Sequence, residues 1–190
     1  MADLSDELSA LVRERDLAHI WLLPSGPVTE DIAREAEQVM NTEECARAGQ
    51  IRSPEVRQQY RLTRALVRHT LSRYQPQIPP DAWCFEANES GKPFVAGPPQ
   101  EYPLQFNLSH SGGWIALAVT TCETVGVDIQ FKSEQYDFLP VTRRFFTAEE
   151  SSELDTLPPA EQLQRFYALW TIKEACSKAR GQGLYSALRQ

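Results

Sequence analysis

The chain is poor in the residues on which metal-stabilised and disulfide-stabilised proteins depend. Its 190 residues include only four cysteines and three histidines. The cysteines show no CxxC pair and the histidines, at 19, 69 and 110, show no HxxxH spacing, which argues against a zinc site. The cysteines also stand among apolar neighbours, so we expect buried free thiols rather than disulfides.

Long hydrophobic runs are also missing. No segment approaches the ~20 consecutive apolar residues that a transmembrane helix needs. The opening residues, MADLSDELSALVRERD, are acidic and charged, whereas a secretory signal begins basic and then becomes apolar. Hydrophobic residues make up 42% and charged residues 24% of the chain, which is ordinary for a folded globular protein. We therefore expect a cytoplasmic protein without a membrane partner.

The overall charge is negative, but one segment is strongly basic. The formal net charge of −7 argues against a nucleic-acid partner. Residues 51–74 nevertheless contain six arginines and a single acid, Glu55. Four of them are spaced as one helical stripe, and none has an acid four residues away: Arg57, Arg61, Arg64 and Arg68. The stripe favours binding of a compact anion such as phosphate, and the alternative is a solvated helix face.

Periodicity and turn residues predict a mixed α and β chain. After a helix-like opening segment, we expect a strand at AHIWLLP, helical structure over 29–48, and a helix over 53–74 that begins at Ser53 and Pro54. Two short strands should flank the turn at 88–91. QFNLSHS and WIALAV should pair through Gly112 and Gly113, VGVDIQ should form a further strand, and residues 137–180 should be helical with a break at the two prolines 158 and 159.

Carboxylates gather in two of these elements. In VGVDIQ, strand alternation places Asp128 and Gln130 on one face of the strand and Val127 and Ile129 on the other. On the last helix, Trp170, Glu174 and Lys178 follow one another at spacing four and form one ridge. If the strand meets this helix, Asp128 and Glu174 form a minimal magnesium site, with Lys178 near the same phosphates. The alternatives are a strand with one solvated face and a surface Glu–Lys pair.

Two turns carry further candidate ligands for an anion. Ser109 and His110 precede the paired glycines of FNLSHSGG, where the backbone can approach a ligand closely. They suit hydrogen bonds to a phosphate or ribose. The alternatives are a serine that caps the turn and a hydrolase nucleophile, although GxSxG is absent. Lys92 in ESGKP places one positive charge on a turn, without the earlier glycine of a P-loop.

Together, FNLSHSGG, GVDIQ, FFTAEE and WTIKEACSKARGQGL resemble, in order and spacing, the motifs of the 4′-phosphopantetheinyl transferases, particularly the surfactin-synthetase type. SGKP and the arginine helix also resemble that family, and the similarity covers residues 60–184. The resemblance implies an α+β fold of two similar α/β lobes related by a pseudo-twofold axis, with the active site in the cleft between them. Residues 1–125 would form the N-terminal lobe and residues 126–190 the C-terminal lobe.

The resemblance also implies the chemistry. The enzyme would bind coenzyme A as substrate with Mg²⁺, or Mn²⁺ as the alternative ion, move the phosphopantetheine arm to a serine of an acyl or peptidyl carrier protein, and release adenosine 3′,5′-bisphosphate. The implied metal ligands are Asp128, Gln130 and Glu174. The implied catalytic groups are Asp128, Glu174 and Lys178. The implied coenzyme A contacts are Arg57, Arg61, Arg64, Lys92, Ser109, His110 and Lys178.

Three features depart from the family or stay open. Gln130 stands where many relatives have a second acid, which removes one ligand charge. The family continues with further strands after the last motif, whereas only LYSALRQ follows Gly183, so we expect a shortened C-terminal lobe. That expectation leaves a second hypothesis, a non-catalytic binder of coenzyme A or of a carrier protein. Glu150 matches the acid of the family motif F-[S/T]-x-x-E, or is an N-terminal charge on a helix that Thr147 caps.

Overall fold

The computed structural model describes residues 17–181, together with the isolated helical positions 8 and 10. Apart from these two positions, the predicted opening helix lies outside the described residues, as does the expected end of the C-terminal lobe, residues 182–190. Within 17–181 the fold is mixed α and β. Its strands are β1 (Ala18–Pro24), β2 (Cys84–Ala87), β3 (Pro93–Gly97), β4 (Gln105–Ser111) and β5 (Trp114–Thr120). Its α-helices are α1 (Glu30–Gln38), α2 (Thr42–Gln50), α3 (Pro54–Tyr74), α4 (Leu139–Phe145), α5 (Ala148–Thr156) and α6 (Pro159–Arg180).

The main sheet is antiparallel, with strand order β1-β5-β4. The predicted hairpin of β4 and β5 is confirmed, with Ser111 paired to Trp114 across the two glycines. Gly112 and Gly113 have φ values of 56° and 80°, the left-handed conformations that a tight two-residue hairpin turn requires. One face of the sheet packs against the long helix α3, where Val67, Leu71, Leu117 and Val119 are fully buried.

The N-terminal helices differ partly from the prediction. Instead of one helical segment over 29–48, the chain forms α1 and α2. The break arises because Asn41 begins a new helix: its side chain accepts from the Glu44 amide at 2.8 Å, and the Glu44 carboxylate accepts from the Asn41 amide at 3.0 Å. The arginine helix α3 is confirmed, with Ser53 as its N-cap and Pro54 as its first residue.

The second sheet is the predicted hairpin of β2 and β3. Its turn is built around Asn88, whose side-chain oxygen accepts from the amides of Ser90 and Lys92 at 3.0 and 2.9 Å. Gly91 adopts the positive φ of 81° that the turn requires. The hairpin thereby fixes Lys92 at the start of β3, beside the end of α6.

The predicted strand at VGVDIQ is wrong. Residues 124–133 are extended but have no backbone pairing partner among the described residues. Val125, Val127 and Ile129 pack on the small side chains Ala116 and Ala118 of β5, so the segment crosses the face of the sheet opposite α3 instead of extending an edge. We call residues 124–133 the crossing segment. Its alternation is as expected, because Val127 and Ile129 face the sheet.

The C-terminal helices contain the predicted break at Pro158 and a second one at residues 146 and 147. Thr147 begins α5 by a capping box, in which its hydroxyl accepts from the Glu150 amide at 3.2 Å and the Glu150 carboxylate accepts from the Thr147 amide at 2.8 Å. Glu150 also pairs with Lys173 of α6 at 2.9 Å. The helices are held by an aromatic cluster that includes Phe146, Phe166 and Trp170.

The cysteines are free, but Cys45, Cys84 and Cys176 are exposed and Cys122 is half-buried, so the expected burial was wrong. The three exposed thiols lie on solvent-facing positions of two helices and a short strand, where apolar sequence neighbours do not enclose them, and Cys122 lies in the bend after β5. Across the part of the chain that the structure describes, no helix is both long enough and apolar enough to span a bilayer.

Candidate active site

The ridge predicted on the last helix is confirmed as part of α6, and its C-terminal half meets the crossing segment. Gly181 ends α6 in the left-handed conformation, with φ of 62°. Trp170 remains in the aromatic cluster, where its ring is 5.5 Å from that of Phe145 and 6.3 Å from that of Phe166. Glu174 and Lys178 extend beyond that cluster towards the carboxylate of Asp128.

Asp128 lies at the centre of a polar cluster, and its side chain is only 3% exposed. Its Oδ1 accepts from Lys178 Nζ at 2.7 Å and from Ser109 Oγ at 2.8 Å. Its Oδ2 accepts from Gln130 Nε2 at 2.8 Å. Both oxygens of this buried carboxylate are therefore hydrogen-bonded, and an ammonium group balances its charge.

The hydroxyl of Ser109 is fully engaged in the same cluster. It donates to Asp128 and accepts from Lys178 Nζ at 2.9 Å and from the Ile129 amide at 3.3 Å. A serine hydroxyl has one hydrogen to donate and two lone pairs, so these contacts use its whole capacity. The arrangement has no histidine base on Ser109, which disfavours the hydrolase alternative.

Glu174 is half-buried, and no hydrogen-bond donor contacts its carboxylate among the described residues. Burial raises the pKa of Glu174 above its ordinary value, and the nearby negative charge of Asp128 raises it further, while Lys178 opposes the shift. The two carboxylates therefore approach closely enough to repel each other. Such a pair is stabilised by a cation placed between or beside them.

The residues present fit one divalent metal ion of the magnesium type. Within residues 17–181 no three His, Cys, Asp or Glu side chains form a cluster, so a ligand set made only of such groups is absent there. Magnesium commonly takes one or two carboxylates and completes its shell with water and substrate phosphates. Asp128 and Glu174 supply two carboxylates from facing elements, which is the donor chemistry such an ion takes, and Lys178 at present occupies the Oδ1 side of Asp128.

A small cavity of about 230 Å³ lies beside this cluster and is lined by two lysines. Lys92 and Lys178 line it, together with Asn107 and Gly181. Lys92 Nζ donates to the carbonyls of Val125 at 2.9 Å and of Ala179 at 3.2 Å. Burial lowers the pKa of Lys92, and no carboxylate in the described chain pairs with it. Lys178 is paired with Asp128, so the positive charge of Lys92 is the one that makes the cavity electropositive and suited to an anion.

Ser109 and His110 are not brought together. Successive residues of β4 point to opposite faces: Ser109 faces the crossing segment, whereas His110 lies on the face of Phe106, which packs in the core below α3. His110 is exposed. The expectation that both lie in a turn was wrong, because β4 continues to Ser111. A shared role of the two side chains in binding one ligand stays a prediction.

The arginine stripe has acidic partners on other helices. Arg61 pairs with Glu37 of α1 at 2.5 Å, and Arg64 Nε donates to Glu44 Oε1 of α2 at 2.6 Å. Arg68, which is fully buried, donates to Glu44 at 2.9 Å and to three main-chain carbonyls. Arg57 donates to the Ile51 carbonyl at 2.7 and 3.0 Å. Anion binding by these arginines stays a prediction.

Sequence reasoning missed Gly126 and two polar residues of β4, Asn107 and Ser111. A Cβ built on Gly126 would lie 2.0 Å from the carbonyl oxygen of Ala175 and 2.5 Å from the amide nitrogen of Ala179. The crossing segment therefore touches the backbone of α6 directly at this position. Asn107 and Ser111 also contact the segment, and the alternating polar residues of QFNLSHS were the available signal.

The raised pKa of Glu174 predicts a pH-dependent gain in stability on removing its charge. Because the pKa of Glu174 is higher in the folded protein than in the unfolded protein, protonation of its carboxyl group stabilises the fold. This stabilisation is fully present below the ordinary carboxyl pKa and is lost as pH rises through the folded pKa. In metal-free buffer near pH 7.5, Glu174→Gln should raise Tm by up to about 3 °C, after discounting for partial exposure. The gain should vanish near pH 4, as thermal melts across this range would measure.

Glu149→Gln is the matched control for this prediction. Glu149 lies in the first turn of α5, and main-chain hydrogen bonding lowers its pKa, so removing its charge should act in the opposite direction at neutral pH. Equal Tm changes for Glu174→Gln at both ends of the pH range would contradict the assignment of repulsion to the Glu174 carboxylate.

Comparison with known proteins shows the family to which the chain is similar. Residues 26–122 match the family model described as 4′-phosphopantetheinyl transferase, N-terminal, and residues 124–190 match that of the 4′-phosphopantetheinyl transferase superfamily. The chain is 30% identical over 169 residues to the 4′-phosphopantetheinyl transferase HetI of Nostoc sp., which covers 89% of this chain and 70% of the relative.

Two further relatives match over shorter stretches of the chain. The 4′-phosphopantetheinyl transferase AcpT of Escherichia coli K12 is 38% identical over 125 residues, covering 66% of this chain and 58% of the relative. The 4′-phosphopantetheinyl transferase Sfp of Bacillus subtilis 168 is 37% identical over 119 residues, covering 63% and 50%.

Proposed function

The chain belongs to the 4′-phosphopantetheinyl transferase superfamily, and we propose that it moves the 4′-phosphopantetheine arm of coenzyme A onto a serine of an acyl or peptidyl carrier protein in the cytoplasm. The other product is adenosine 3′,5′-bisphosphate. One observation carries the proposal: the carboxylates of Asp128 and Glu174 and the ammonium group of Lys178 converge from two separate parts of the chain.

We propose that Asp128, Glu174 and the amide oxygen of Gln130 hold Mg²⁺, or Mn²⁺ in its place. When bound, the ion would neutralise negative charge on the diphosphate of coenzyme A. The chain's own groups supply the rest. Glu174, whose pKa is raised towards neutrality, accepts the proton of the incoming serine hydroxyl. Lys178 donates hydrogen bonds to the phosphate as its negative charge increases.

Binding of coenzyme A is proposed at the electropositive cavity. Lys92, Lys178 and Ser109 would contact its phosphates, and the support is a cavity lined by both lysines, in which no described carboxylate pairs with Lys92. Lys178 and Ser109 would each have to exchange one of their present hydrogen bonds for a phosphate. His110 and the arginines Arg57, Arg61 and Arg64 would contact the nucleotide end. Since Glu37 and Glu44 already pair with Arg61 and Arg64, a phosphate there would have to exchange with a carboxylate.

The lobes are proposed with the same boundaries as above, residues 1–125 and 126–190, related by a pseudo-twofold axis. The support is the way in which the site is assembled: Ser109 and Lys92 come from the first range, whereas Asp128, Glu174 and Lys178 come from the second. A site between two lobes allows a large cofactor to enter along the cleft.

A non-catalytic binder is the second candidate, and one observation favours it. Both oxygens of Asp128 are already hydrogen-bonded to Lys178, Ser109 and Gln130, and Gln130 carries no charge. If Asp128 keeps these hydrogen bonds and holds no metal ion, coenzyme A or a carrier protein would bind without transfer of the phosphopantetheine arm.

Carrier loading separates the two candidates. The protein is incubated with fluorescent coenzyme A, Mg²⁺ and a panel of acyl and peptidyl carrier proteins, and the carriers are analysed by intact mass. We expect one phosphopantetheine group on at least one carrier, and its loss when the metal is chelated. Tight binding of coenzyme A without any loaded carrier would contradict the transferase and support the binder.

A further inference from the structure

Three alternate side chains of β4 bind three alternate amides of the crossing segment. Asn107 Oδ1 accepts from the Val127 amide at 2.9 Å. Ser109 Oγ accepts from the Ile129 amide at 3.3 Å, and Ser111 Oγ accepts from the Phe131 amide at 2.9 Å. Each pair is separated by 20 residues, so both partners advance by two residues at every step. We call these three hydrogen bonds the side-chain ladder.

The side-chain ladder takes the place of backbone pairing, which the crossing segment does not make with any described residue. A buried amide without an acceptor is costly, and the bond between Asn107 and Val127 is buried on both sides. Lys92 donates to the Val125 carbonyl and Lys178 donates to the Val127 carbonyl. Side chains therefore bond both amides and carbonyls of the segment's main chain.

The side-chain ladder also fixes which residues of the segment face the polar cluster. Side chains of extended backbone alternate between two faces, so a slip of one residue would exchange them. A slip would place an apolar side chain at the position of Asp128 and remove the carboxylate from Lys178. The acceptors on β4 and the amides of the crossing segment both recur every second residue, so all three hydrogen bonds form together only in this register.

We propose that Asn107 and Ser111 are positioning residues: together with Ser109 they set the register of residues 127–131 and thereby hold the Asp128 carboxylate against Lys178 and beside Glu174. The consequence for transfer rests on the proposed function, whereas the consequence for register does not. Neither residue needs to touch substrate or metal for this role.

The first test measures the ladder directly by amide hydrogen exchange in the metal-free protein. Asn107→Leu keeps a side chain of similar size but removes the acceptor, and it should speed exchange of the Val127 amide about tenfold. Ser111→Ala should speed exchange of the Phe131 amide less, because that bond is exposed and water replaces it. Ser111→Thr keeps the hydroxyl and should restore protection. Unchanged exchange at Val127 in Asn107→Leu would overturn the ladder.

The second test measures positioning. In Asn107→Leu we expect the Mg²⁺ dissociation constant from calorimetry, and the Mg²⁺ concentration for half-maximal transfer, to rise about tenfold. Phe106→Leu is the matched control, since Phe106 is the adjacent β4 residue and is buried on the opposite face. It should lower Tm while leaving both Mg²⁺ constants unchanged.

The outcomes separate this proposal from the proposed function. Faster exchange in Asn107→Leu with unchanged Mg²⁺ constants would reduce the ladder to a structural role and overturn positioning. If the unmodified protein binds Mg²⁺ but loads no carrier, only the proposed function is contradicted. Calorimetry on Asn107→Leu then still decides whether Asn107 positions Asp128. An unmodified protein that binds no Mg²⁺ overturns the positioning role.

Discussion

Replacing Asp128 with asparagine is expected to reduce the rate of carrier loading about 10²- to 10³-fold, the usual effect of removing one electrostatic contribution to a transition state. Asp128→Asn keeps the shape of the side chain but removes the charge that pairs with Lys178 at 2.7 Å. It also removes one of the two carboxylates proposed to hold the metal ion. Initial rates at limiting and at saturating Mg²⁺ would measure the effect.

The control for Asp128→Asn is Glu134→Gln, which removes a carboxylate from an exposed turn six positions further along the chain. It should leave the loading rate within about twofold, since exposed surface charges have small effects. Circular dichroism and Tm must show that Asp128→Asn remains folded, because Lys178 loses its partner. A loading rate equal to that of Glu134→Gln at limiting Mg²⁺ would remove Asp128 from the proposed mechanism.

Gly126→Ala is expected to produce the largest loss of stability from a single methyl group. The added Cβ would lie 2.0 Å from the Ala175 carbonyl oxygen, far inside van der Waals contact, and neither backbone can move without separating the crossing segment from α6. We expect a loss of about 3 kcal/mol in the free energy of unfolding, which at this chain length lowers Tm by roughly 6–12 °C. Chemical denaturation and thermal melts would measure both quantities.

Gly49→Ala is the matched control for this substitution. Gly49 lies in the last turn of α2, and a Cβ built there meets nothing within 4 Å. The same added methyl group should therefore be neutral or stabilise by up to about 1 kcal/mol, since alanine is the better helix former. Equal changes in stability for Gly126→Ala and Gly49→Ala would show that the contact with α6 is not as close as described.

The sequence predicted the elements that depend on local signals. The helix after Ser53 and Pro54, the hairpin at Gly112 and Gly113, and the ridge of Glu174 and Lys178 each follow from caps, turn residues or spacing that lie within a few residues of one another. Those signals act through the chain's own neighbours, and the structure confirms all three elements.

The features that the sequence did not reveal depend on contacts between distant parts of the chain. Alternation in VGVDIQ correctly indicates extended backbone, but it does not tell whether main chain or side chains accept its hydrogen bonds. The sequence of the arginine helix contains no acid at the spacing that would pair with its arginines. Their carboxylate partners, Glu37 and Glu44, come from other helices. The contact of Gly126 with α6 left no trace in the local pattern, since any small residue would fit an extended segment equally well.

The hydrogen bonds between β4 and the crossing segment have a consequence for how this protein can change by mutation. In an ordinary sheet, main-chain pairing survives almost any substitution, because every residue except proline carries the same donor and acceptor. Here each bond depends on the identity of one side chain, at position 107, 109 or 111. Redesign of the site in the laboratory should therefore keep these three positions fixed as a set, and vary residues 128 and 130 only on that unchanged framework.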